Sequence, residues 1–307
     1  MTRHVLVTGG AGFIGSHLVD AYLAAGWRVS IVDDLSSGKL ENLNPDAAFY
    51  EKDIRDDSVA ELLQELRPDV VNHHAAQMDV RKSVADPTAD AMTNVVGSVG
   101  LLQAALDAGV KRFVLASTGG AIYGEPLAGP QDEDHPAGPM SPYGCAKLSV
   151  EHYLNYFRVV HGLSTVALRY ANVYGLRQNP HGEAGVIAIF AGKMLRREPV
   201  TIYGSGLQTR DFVHVSDVVA ANLAASEAEW TGSFNVGTGV ETSIAELYSL
   251  MAGLLEIEAR PLLAPPKQGE QMRSVLDGRR LESLASLPAK KPLPLGLSAM
   301  FGPLSSS

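Results

Sequence analysis

Short apolar runs alternate with longer stretches of mixed polarity over about the first 170 residues of the chain. The short runs are rich in β-branched residues and predict strands at 4–8, 28–34, 48–53, 69–76, 112–118 and 165–173. Between them, apolar residues recur every three or four positions, which predicts helices at 16–26, 58–67, 86–109 and 143–161. Strands that alternate with helices indicate the α/β class, here a Rossmann-like, doubly wound parallel sheet.

The pattern changes after Tyr174, where Gly, Pro and polar residues become more frequent. Segments 216–225 and 234–238 are apolar again, so we expect the chain to return to the sheet there. We therefore predict an NAD-binding domain over 1–172, with 211–238 partly returning to it, and a smaller C-terminal substrate-binding lobe over 173–307. The Pro-rich tail, residues 287–307, has little periodicity and predicts no ordered element.

Composition narrows the class of protein. The net charge is −9, which argues against nucleic-acid or anionic-membrane partners. No apolar run approaches the roughly 20 residues that span a bilayer. The first predicted strand begins too early for a signal peptide to precede it, and the single cysteine, Cys145, excludes an internal disulfide. We expect a cytoplasmic protein in which Cys145 packs as a small buried residue.

A glycine-rich turn follows the first predicted strand and precedes the first predicted helix. Gly9, Gly12 and Gly15 are spaced three apart there, and such a turn lets backbone N–H groups approach a pyrophosphate at the helix N-terminus. Asp33 ends the second predicted strand, where a carboxylate accepts hydrogen bonds from ribose hydroxyls and repels a 2′-phosphate. This context predicts NAD rather than NADP, with Asp34 either sharing that role or capping the turn.

Tyr143 and Lys147 are one helical turn apart, so their side chains lie on one face of the predicted helix. A nearby ammonium and the positive end of a bound nicotinamide both favour the phenolate, and we expect them to lower the pKa of Tyr143 so that Tyr143 serves as a general base. Ser117 and Thr118 end the fifth predicted strand, at the sheet edge where α/β proteins bind ligands. The sequence thus predicts a catalytic group of hydroxyls, phenol and ammonium.

No metal site is predicted. His73 and His74 are adjacent, so they point to opposite faces of a strand, and no H-E-x-x-H sequence occurs.

Several segments together resemble the UDP-glucose 4-epimerase family of extended short-chain dehydrogenases/reductases. They are VTGGAGFIGSHLVD, VDDLSSGKLENL, HHAAQ, ASTGGAIYGE, SPYGCAK, LRYANVYGLRQNPHGEAG, QTRDFVHVSDV and FNVGTG. The resemblance implies bound NAD, a UDP-sugar substrate and reversible epimerisation at C4 of the hexose through a transient 4-keto sugar. In this mechanism Tyr143 takes the C4 hydroxyl proton, and the sugar is held loosely enough to turn over.

The resemblance also implies the residues of the site. The cofactor would be held by Gly9, Gly12, Phe13, Ile14, Gly15, Asp33, Asp34, Ser37, Gly38, Asp53, Ile54, His74, Ala75, Ala76, Gln77, Asn94, Tyr143, Lys147 and Tyr170. Thr118 resembles the hydroxyl residue that bonds the sugar, with Ser117 as second choice. The substrate would be bound by Thr118, Asn172, Val186, Tyr203, Arg210, Lys267, Glu270 and Ser274.

The chain departs from the family pattern at three places. Lys267 stands where many members have an arginine and keeps the charge without the guanidinium fork, which predicts either weaker UDP binding or substitution by Arg273 in holding the diphosphate. Ser274 is small at the position that gates an N-acetyl pocket, which predicts turnover of UDP-GlcNAc as well. After Ser286 neither the usual Gly-Trp-x-Pro turn nor a closing helix is evident.

Helices 86–109 and 143–161 match those through which family members form homodimers, and we expect a homodimer. Other activities stay open on the same fold: a UDP-glucuronate epimerase or decarboxylase, a 4,6-dehydratase, or a non-catalytic NAD-binding sensor. Dehydratases place an acid/base pair after Thr118, where this chain has Gly119 and Gly120. A sensor would be expected to lack the tyrosine or the lysine.

Overall fold

The computed structural model of the protein describes residues 2–180, 185–266 and 271–301. Among these residues, seven parallel strands form the main sheet, in the order β10-β6-β5-β4-β1-β2-β3. Strands are numbered in chain order: β1 is His4–Thr8, β2 Arg28–Asp33, β3 Ala48–Glu51, β4 Val70–His73, β5 Arg112–Thr118, β6 Ser164–Tyr170 and β10 Gly232–Val236. This sheet confirms the predicted α/β, doubly wound architecture.

Helices cover both faces of the main sheet. Their bounds are α1 Phe13–Ala24, α2 Asp57–Leu66, α3 Val80–Ala85, α4 Pro87–Ala91, α5 Ser98–Asp107, α6 Gly119–Ile122, α7 Pro142–His161 and α9 Val215–Glu227. Helices α1 and α9 share one apolar cluster with the sheet, and α2, α5 and α7 share the other. Val5 and Val7 of β1 belong to the first cluster and Leu6 to the second, so this strand is buried on both sides.

The predicted helix over 86–109 is interrupted. Asp86 caps α4 by accepting a hydrogen bond from the N–H of Ala89 at 2.9 Å, and Pro87 occupies the first turn, where its missing N–H is not needed. A π-helical turn, Met92–Gly97, then joins α4 to α5. The turn widens the helix by one residue at the position of Asn94.

A smaller lobe is built from later segments. Its strands are β7 Asn172–Tyr174, β8 Thr201–Tyr203, β9 Thr209–His214, β11 Glu241–Ser243 and β12 Leu262–Ala264, and its helices are α8 Val186–Leu195, α10 Ile244–Leu254 and α12 Leu293–Phe301. A further helix, α11 Arg279–Leu284, packs instead on β10 of the main sheet, where Leu281 joins the first apolar cluster. Three of these strands pair in the order β11-β9-β7 and two pair as β12-β8. The predicted strand 165–173 is therefore divided: β6 lies in the main sheet and β7 in the small one.

The C-terminal tail is partly helical, and the prediction of no ordered element over 287–307 was wrong for 293–301. Leu297 of α12 is fully buried in the apolar cluster of the small lobe. Gly296 lets the helix approach the side chain of Tyr174 so closely that a Cβ at this position would collide with its phenol oxygen. The helix is ordered by this long-range packing, which the local pattern does not show.

None of the helices within residues 2–180, 185–266 and 271–301 is both long and apolar enough to span a bilayer.

Candidate active site

The glycine turn between β1 and α1 is closely packed on itself. Gly9 has a φ of +70°, and a Cβ built on it would lie 2.6 Å from the amide nitrogen of Ala75. A Cβ on Gly15 would collide with the carbonyl oxygen of Gly9. Gly12 caps α1 without a side-chain hydrogen bond, and the first turn of α1 has no acidic residue. Phe13 and Ile14 begin the helix, whose first N–H groups are free to bind an anion.

Asp33 is fixed beside this turn. It ends β2, and its carboxylate accepts hydrogen bonds from the N–H of Ala11 and the N–H of Leu35, both at 2.9 Å. Burial raises the pKa of Asp33, and these two hydrogen bonds oppose that rise. A Cβ on Gly38 would lie 2.6 Å from the Asp33 carboxylate, so only glycine allows the loop to pass there. The geometry fits a ribose-binding carboxylate.

The neighbouring positions have other roles in the structure. Asp34 is exposed and accepts hydrogen bonds from both the N–H and the hydroxyl of Ser36, so it caps the turn, and Ser37 is exposed beside it. Asp53 follows β3 and forms an ion pair with Arg55, which lowers the pKa of Asp53.

The predicted cofactor-lining positions after β4 are held by a buried hydroxyl. Thr8 Oγ1 accepts hydrogen bonds from the N–H groups of His74 and Ala75, both at 3.2 Å. The ring of His74 stacks on that of Tyr170 with their centroids 6.1 Å apart. Burial lowers the pKa of His74 to about 3, so this ring is neutral at physiological pH. Ile54 is buried and Ala76 is partly exposed.

His73 points away from this edge. It hydrogen-bonds Thr8 Oγ1 at 2.7 Å and Ser98 Oγ at 2.9 Å, and burial lowers its pKa well below the usual value. In the part of the chain that the structure describes, no group of His, Cys, Asp and Glu side chains could hold a metal ion.

The π-helical turn directs Asn94 to the loop after β4. Its Oδ1 accepts a hydrogen bond from the N–H of Gln77 and its Nδ2 donates to the carbonyl of Gln77, both at 2.8 Å. Asn94 Nδ2 also donates to Asp90, a buried carboxylate that sequence reasoning missed. The only signal for Asp90 in the sequence was its spacing of four from Asn94.

Tyr143 and Lys147 lie on the first two turns of α7, as the spacing predicts. Ser141 caps this helix by accepting a hydrogen bond from the N–H of Gly144 at 3.1 Å, and Pro142 begins it. The Lys147 ammonium is 5.9 Å from the centroid of the Tyr143 ring. Lys147 is 3% exposed, and no hydrogen bond joins its ammonium to another described residue. The ammonium is therefore available to a ligand or to the phenolate.

Burial dominates the titration of this pair. It raises the pKa of Tyr143 above 10, with a smaller rise caused by Asp90, and it lowers the pKa of Lys147 to about 8. The lowering of the Tyr143 pKa by Lys147 together with a nicotinamide charge stays a prediction, since burial raises this pKa in the protein alone. Forming either charge in this low-dielectric environment is unfavourable, and this desolvation outweighs the attraction between the two groups.

The two hydroxyls at the end of β5 face different surroundings. Ser117 is buried and donates a hydrogen bond to Glu151 at 2.6 Å. Thr118 is partly exposed and caps α6 by accepting a hydrogen bond from the N–H of Ala121 at 3.3 Å. The structure thus favours Thr118 over Ser117 as the hydroxyl available to a substrate, because the Ser117 hydroxyl is committed to Glu151.

Ser274 comes close to Thr118 from the distant C-terminal part of the chain. A Cβ built on Gly120 would lie 3.6 Å from Ser274 Oγ and 4.0 Å from Thr118 Oγ1. Ser274 is 1% exposed, and its hydroxyl has no hydrogen-bond partner among the described residues. The two hydroxyls therefore flank the same glycine.

The other predicted substrate residues belong to the small lobe. Asn172 begins β7, which pairs in parallel with β9, the strand of Arg210. The Arg210 guanidinium donates to the carbonyl of Thr209 at 2.8 Å. Val186 begins α8, and Tyr203 ends β8 with 41% of its surface exposed. Lys267 and Glu270 lie outside the described residues.

Arg273 does not stand free to replace an arginine at position 267. Its guanidinium is paired with Glu241, and its backbone N–H donates a hydrogen bond to Glu125 at 3.0 Å.

Cys145 also differs from expectation. It is exposed, because it lies on the face of α7 that points away from the sheet.

The predicted cofactor and catalytic residues meet at one edge of the main sheet. Parallel strands bring their carboxyl ends to the same edge, where the glycine turn follows β1, Asp33 ends β2 and Thr118 ends β5. A dinucleotide bound there would lie within reach of the start of α7. These features define a Rossmann-type, dinucleotide-dependent enzyme.

The chain belongs to the NAD dependent epimerase/dehydratase family, whose model matches residues 5–237. It is 49% identical over 281 residues to the UDP-glucose 4-epimerase of Mycolicibacterium smegmatis, covering 90% of each chain. It is also similar to a crystal structure of the Thermotoga maritima UDP-glucose 4-epimerase with UDP-glucose, at 47% identity and a TM-score of 0.95, covering 97% of each chain. The Thermus thermophilus UDP-glucose 4-epimerase in complex with NAD is 42% identical, with a TM-score of 0.92 and 97% coverage of each chain.

Proposed function

We propose that the protein catalyses the reversible C4 epimerisation of a UDP-hexose, UDP-glucose and UDP-galactose, with NAD as its resident cofactor. The observation that carries this proposal is the half-buried Tyr143 with the buried Lys147 beside it, at the sheet edge that also presents the glycine turn and Thr118. The relatives named UDP-glucose 4-epimerase support the choice of substrate.

The residues of this chain fit NAD. The glycine turn and the unoccupied N–H groups at the start of α1 suit the pyrophosphate, and Asp33 suits the adenosine ribose. The ammonium of Lys147 is available to hydrogen-bond the ribose on the nicotinamide side of NAD. Bound NAD would supply the acceptor and later the donor of the C4 hydride, together with a positive charge near Tyr143.

Tyr143 acts as the general base in the proposed reaction. Its phenolate oxygen takes the proton of the sugar C4 hydroxyl and later returns it, so no net proton is exchanged with solvent. Lys147 stabilises the phenolate by its positive charge, and with a pKa of about 8 it is mostly protonated at neutral pH. Thr118 donates a hydrogen bond to the C4 oxygen and fixes its position.

The small lobe would hold the UDP moiety firmly and the sugar loosely. The Arg210 guanidinium suits two phosphate oxygens at once, and Asn172, Val186 and Tyr203 lie on elements of the same lobe. Ser274 is a small residue near Thr118, at the position that gates the N-acetyl pocket in the family the chain resembles. We therefore extend the proposal to UDP-GlcNAc and UDP-GalNAc.

A dehydratase is disfavoured by the packing of α6. An acid/base pair after Thr118 would need side chains at positions 119 and 120. A Cβ on Gly119 would lie 2.5 Å from a methyl group of Leu276, so the first position has no space for a carboxylate.

The exposed surface supports a homodimer. Along α7, Cys145, Tyr153, Tyr156 and Val160 form an exposed stripe with helical spacing. Met92 and Val96 of the π-helical turn are also exposed. We propose that these exposed faces of one copy of the chain pack against the same faces of a second copy. An exposed free thiol is compatible with a reducing, cytoplasmic location.

The reaction is tested by incubating the purified protein separately with UDP-galactose, UDP-GlcNAc and UDP-glucuronate, without added NAD, and identifying the products by NMR. We expect the C4 epimers of the first two. Decarboxylation or epimerisation of UDP-glucuronate alone would refute the proposed substrate.

Tyr143→Phe separates an enzyme from an NAD-binding sensor. Turnover should be lost while NAD stays bound, because the variant removes only the base. Full turnover in this variant would contradict the assigned base.

A further inference from the structure

A buried carboxylate without a role in the mechanism above lies on α4. Asp90 is 1% exposed. One of its oxygens, Oδ1, accepts hydrogen bonds from Gln77 Nε2 and from Asn94 Nδ2, both at 2.9 Å. The other, Oδ2, is buried and accepts no hydrogen bond among the described residues. Burial raises the pKa of Asp90, while the two amide donors and the charge of Lys147 oppose that rise and favour the ionised carboxylate.

Helix α4 packs directly on α7, which carries Tyr143 and Lys147. The charge of Asp90 raises the pKa of Lys147 more than that of Glu151 does, and it also raises the pKa of Tyr143. Glu151 is already neutralised by a bidentate pair with Arg169. Asp90 is therefore the buried negative charge available to balance Lys147.

Other charged groups around α4 do not replace Asp90. Arg81 and Lys82 of α3 are exposed, and Arg81 lies 3.6 Å from the carboxylate of Asp79. His73 at the end of β4 and His74 directly after it are neutral because burial lowers the pKa of each. The π-helical turn has no charged side chain.

We propose that Asp90 is a positioning residue for this reaction, whose buried negative charge holds Lys147 as the ammonium and sets the pH range of the Tyr143–Lys147 pair. The proposal rests on the proposed function for its catalytic meaning, although the charge balance itself does not depend on the sugar. A carboxylate favours an ammonium and disfavours a phenolate, so removing it lowers the pKa of both groups.

Asp90→Asn tests the proposal because it keeps the Oδ1 acceptor and removes the charge. Asp86→Asn is the matched control, since it removes an exposed carboxylate from the start of the same helix and asparagine preserves the cap. The titration of Lys147 is followed by NMR of protein labelled with ¹³C at the lysine ε position, with Lys147→Met for assignment. Turnover is measured from pH 6 to 10, the range around the Lys147 pKa of about 8.

In D90N we expect the pKa of Lys147 to fall by roughly one unit or more, as a nearby opposite charge typically shifts such a group. The alkaline decline in turnover should move down with it. D86N should leave both the pKa of Lys147 and the pH dependence of turnover unchanged. An unshifted Lys147 in D90N, with or without a lower melting temperature, would overturn the proposal and assign Asp90 a structural role alone.

The Lys147 titration is read without sugar, so it separates this proposal from the epimerase assignment. A shifted Lys147 in a protein that converts no UDP-sugar supports the charge balance and refutes the reaction. Should D90N not fold, Lys147→Gln gives the reciprocal test. The pKa of the Asp90 carboxyl, followed by its ¹³Cγ resonance, should then rise, and no rise would overturn the proposal.

Discussion

At the residue scale, a buried ionic network centred on Glu151 stabilises helix α7. Glu151 accepts hydrogen bonds from Ser117 at 2.6 Å, from Ser233 at 2.8 Å and from the Arg169 guanidinium at 2.6 Å. Arg169 also donates to the hydroxyl of Tyr123 at 2.6 Å. These bonds offset the desolvation of both charges and join α7 to β5, β6 and β10, so the network fixes the position of α7 against the sheet.

Glu151→Gln should be strongly destabilising, because it leaves the Arg169 charge buried without its carboxylate. We expect a loss of about 3–5 kcal/mol in the free energy of unfolding, measured with urea. Glu198→Gln removes one member of an exposed pair with Arg196 and should have no measurable effect. Equal losses in the two variants would contradict the role given to burial.

Lys147→Met should stabilise the NAD-free protein while abolishing turnover. The pKa of Lys147 is lowered from 10.5 to about 8, so keeping it charged in the folded state is unfavourable below pH 8. That difference corresponds to roughly 3 kcal/mol. The gain should be complete near pH 7, shrink as the pH rises through 8 and vanish near 10.5. Urea unfolding at these pH values measures it, and a gain independent of pH would argue against this origin.

At the scale of elements, two helix features position the cofactor site. The glycine turn lets α1 begin directly against β1 and β4, and the π-helical turn aims Asn94 at the loop after β4. The glycine turn depends on backbone geometry, and the π-helical turn directs a side-chain amide. Replacing helical glycines by alanine therefore separates two effects on stability, the gain in local helix propensity and the loss caused by a tertiary collision.

Gly15→Ala and Gly100→Ala change two helical glycines in the same way. A Cβ on Gly15 would meet the backbone of Gly9, so we expect a loss of about 1–3 kcal/mol in stability and weaker NAD binding. A Cβ on Gly100 meets nothing within 4 Å, so this variant should gain up to about 1 kcal/mol from helix propensity. Thermal unfolding and NAD titration measure both, and a tolerated Gly15→Ala would contradict the close packing of the turn.

At the scale of the whole molecule, one buried carboxylate joins the main sheet to the small lobe. Asp211 on β9 accepts hydrogen bonds from the N–H groups of Thr238 at 2.9 Å, Gly239 at 3.1 Å and Leu276 at 3.3 Å. Positions 238 and 239 follow β10 of the main sheet, and 276 follows Ser274. Asp211 thus holds the segment that brings Ser274 to Thr118.

The proposed homodimer is tested with two exposed valines of matched exposure. Val160 on α7 is 60% exposed and Val240, after β10, is 62% exposed. Val160→Glu should lower the sedimentation mass from dimer to monomer, because it places charge in the apolar stripe of α7. Val240→Glu should leave the dimer intact. A wild-type protein that sediments as a monomer would exclude this assembly.

The sequence by itself determined the local features of this protein. Strand and helix periodicity, the glycine turn and the spacing of Tyr143 and Lys147 follow from neighbours in the chain. The periodicity was sufficient to predict the doubly wound sheet, and the resemblance of several segments to known relatives predicted the family. Burial and long-range contact were decided by the tertiary structure alone. It raised the pKa of Tyr143, committed Ser117 to Glu151, ordered α12 and exposed Cys145. Each of these depends on groups brought together from distant segments, because desolvation and packing arise only when the elements assemble.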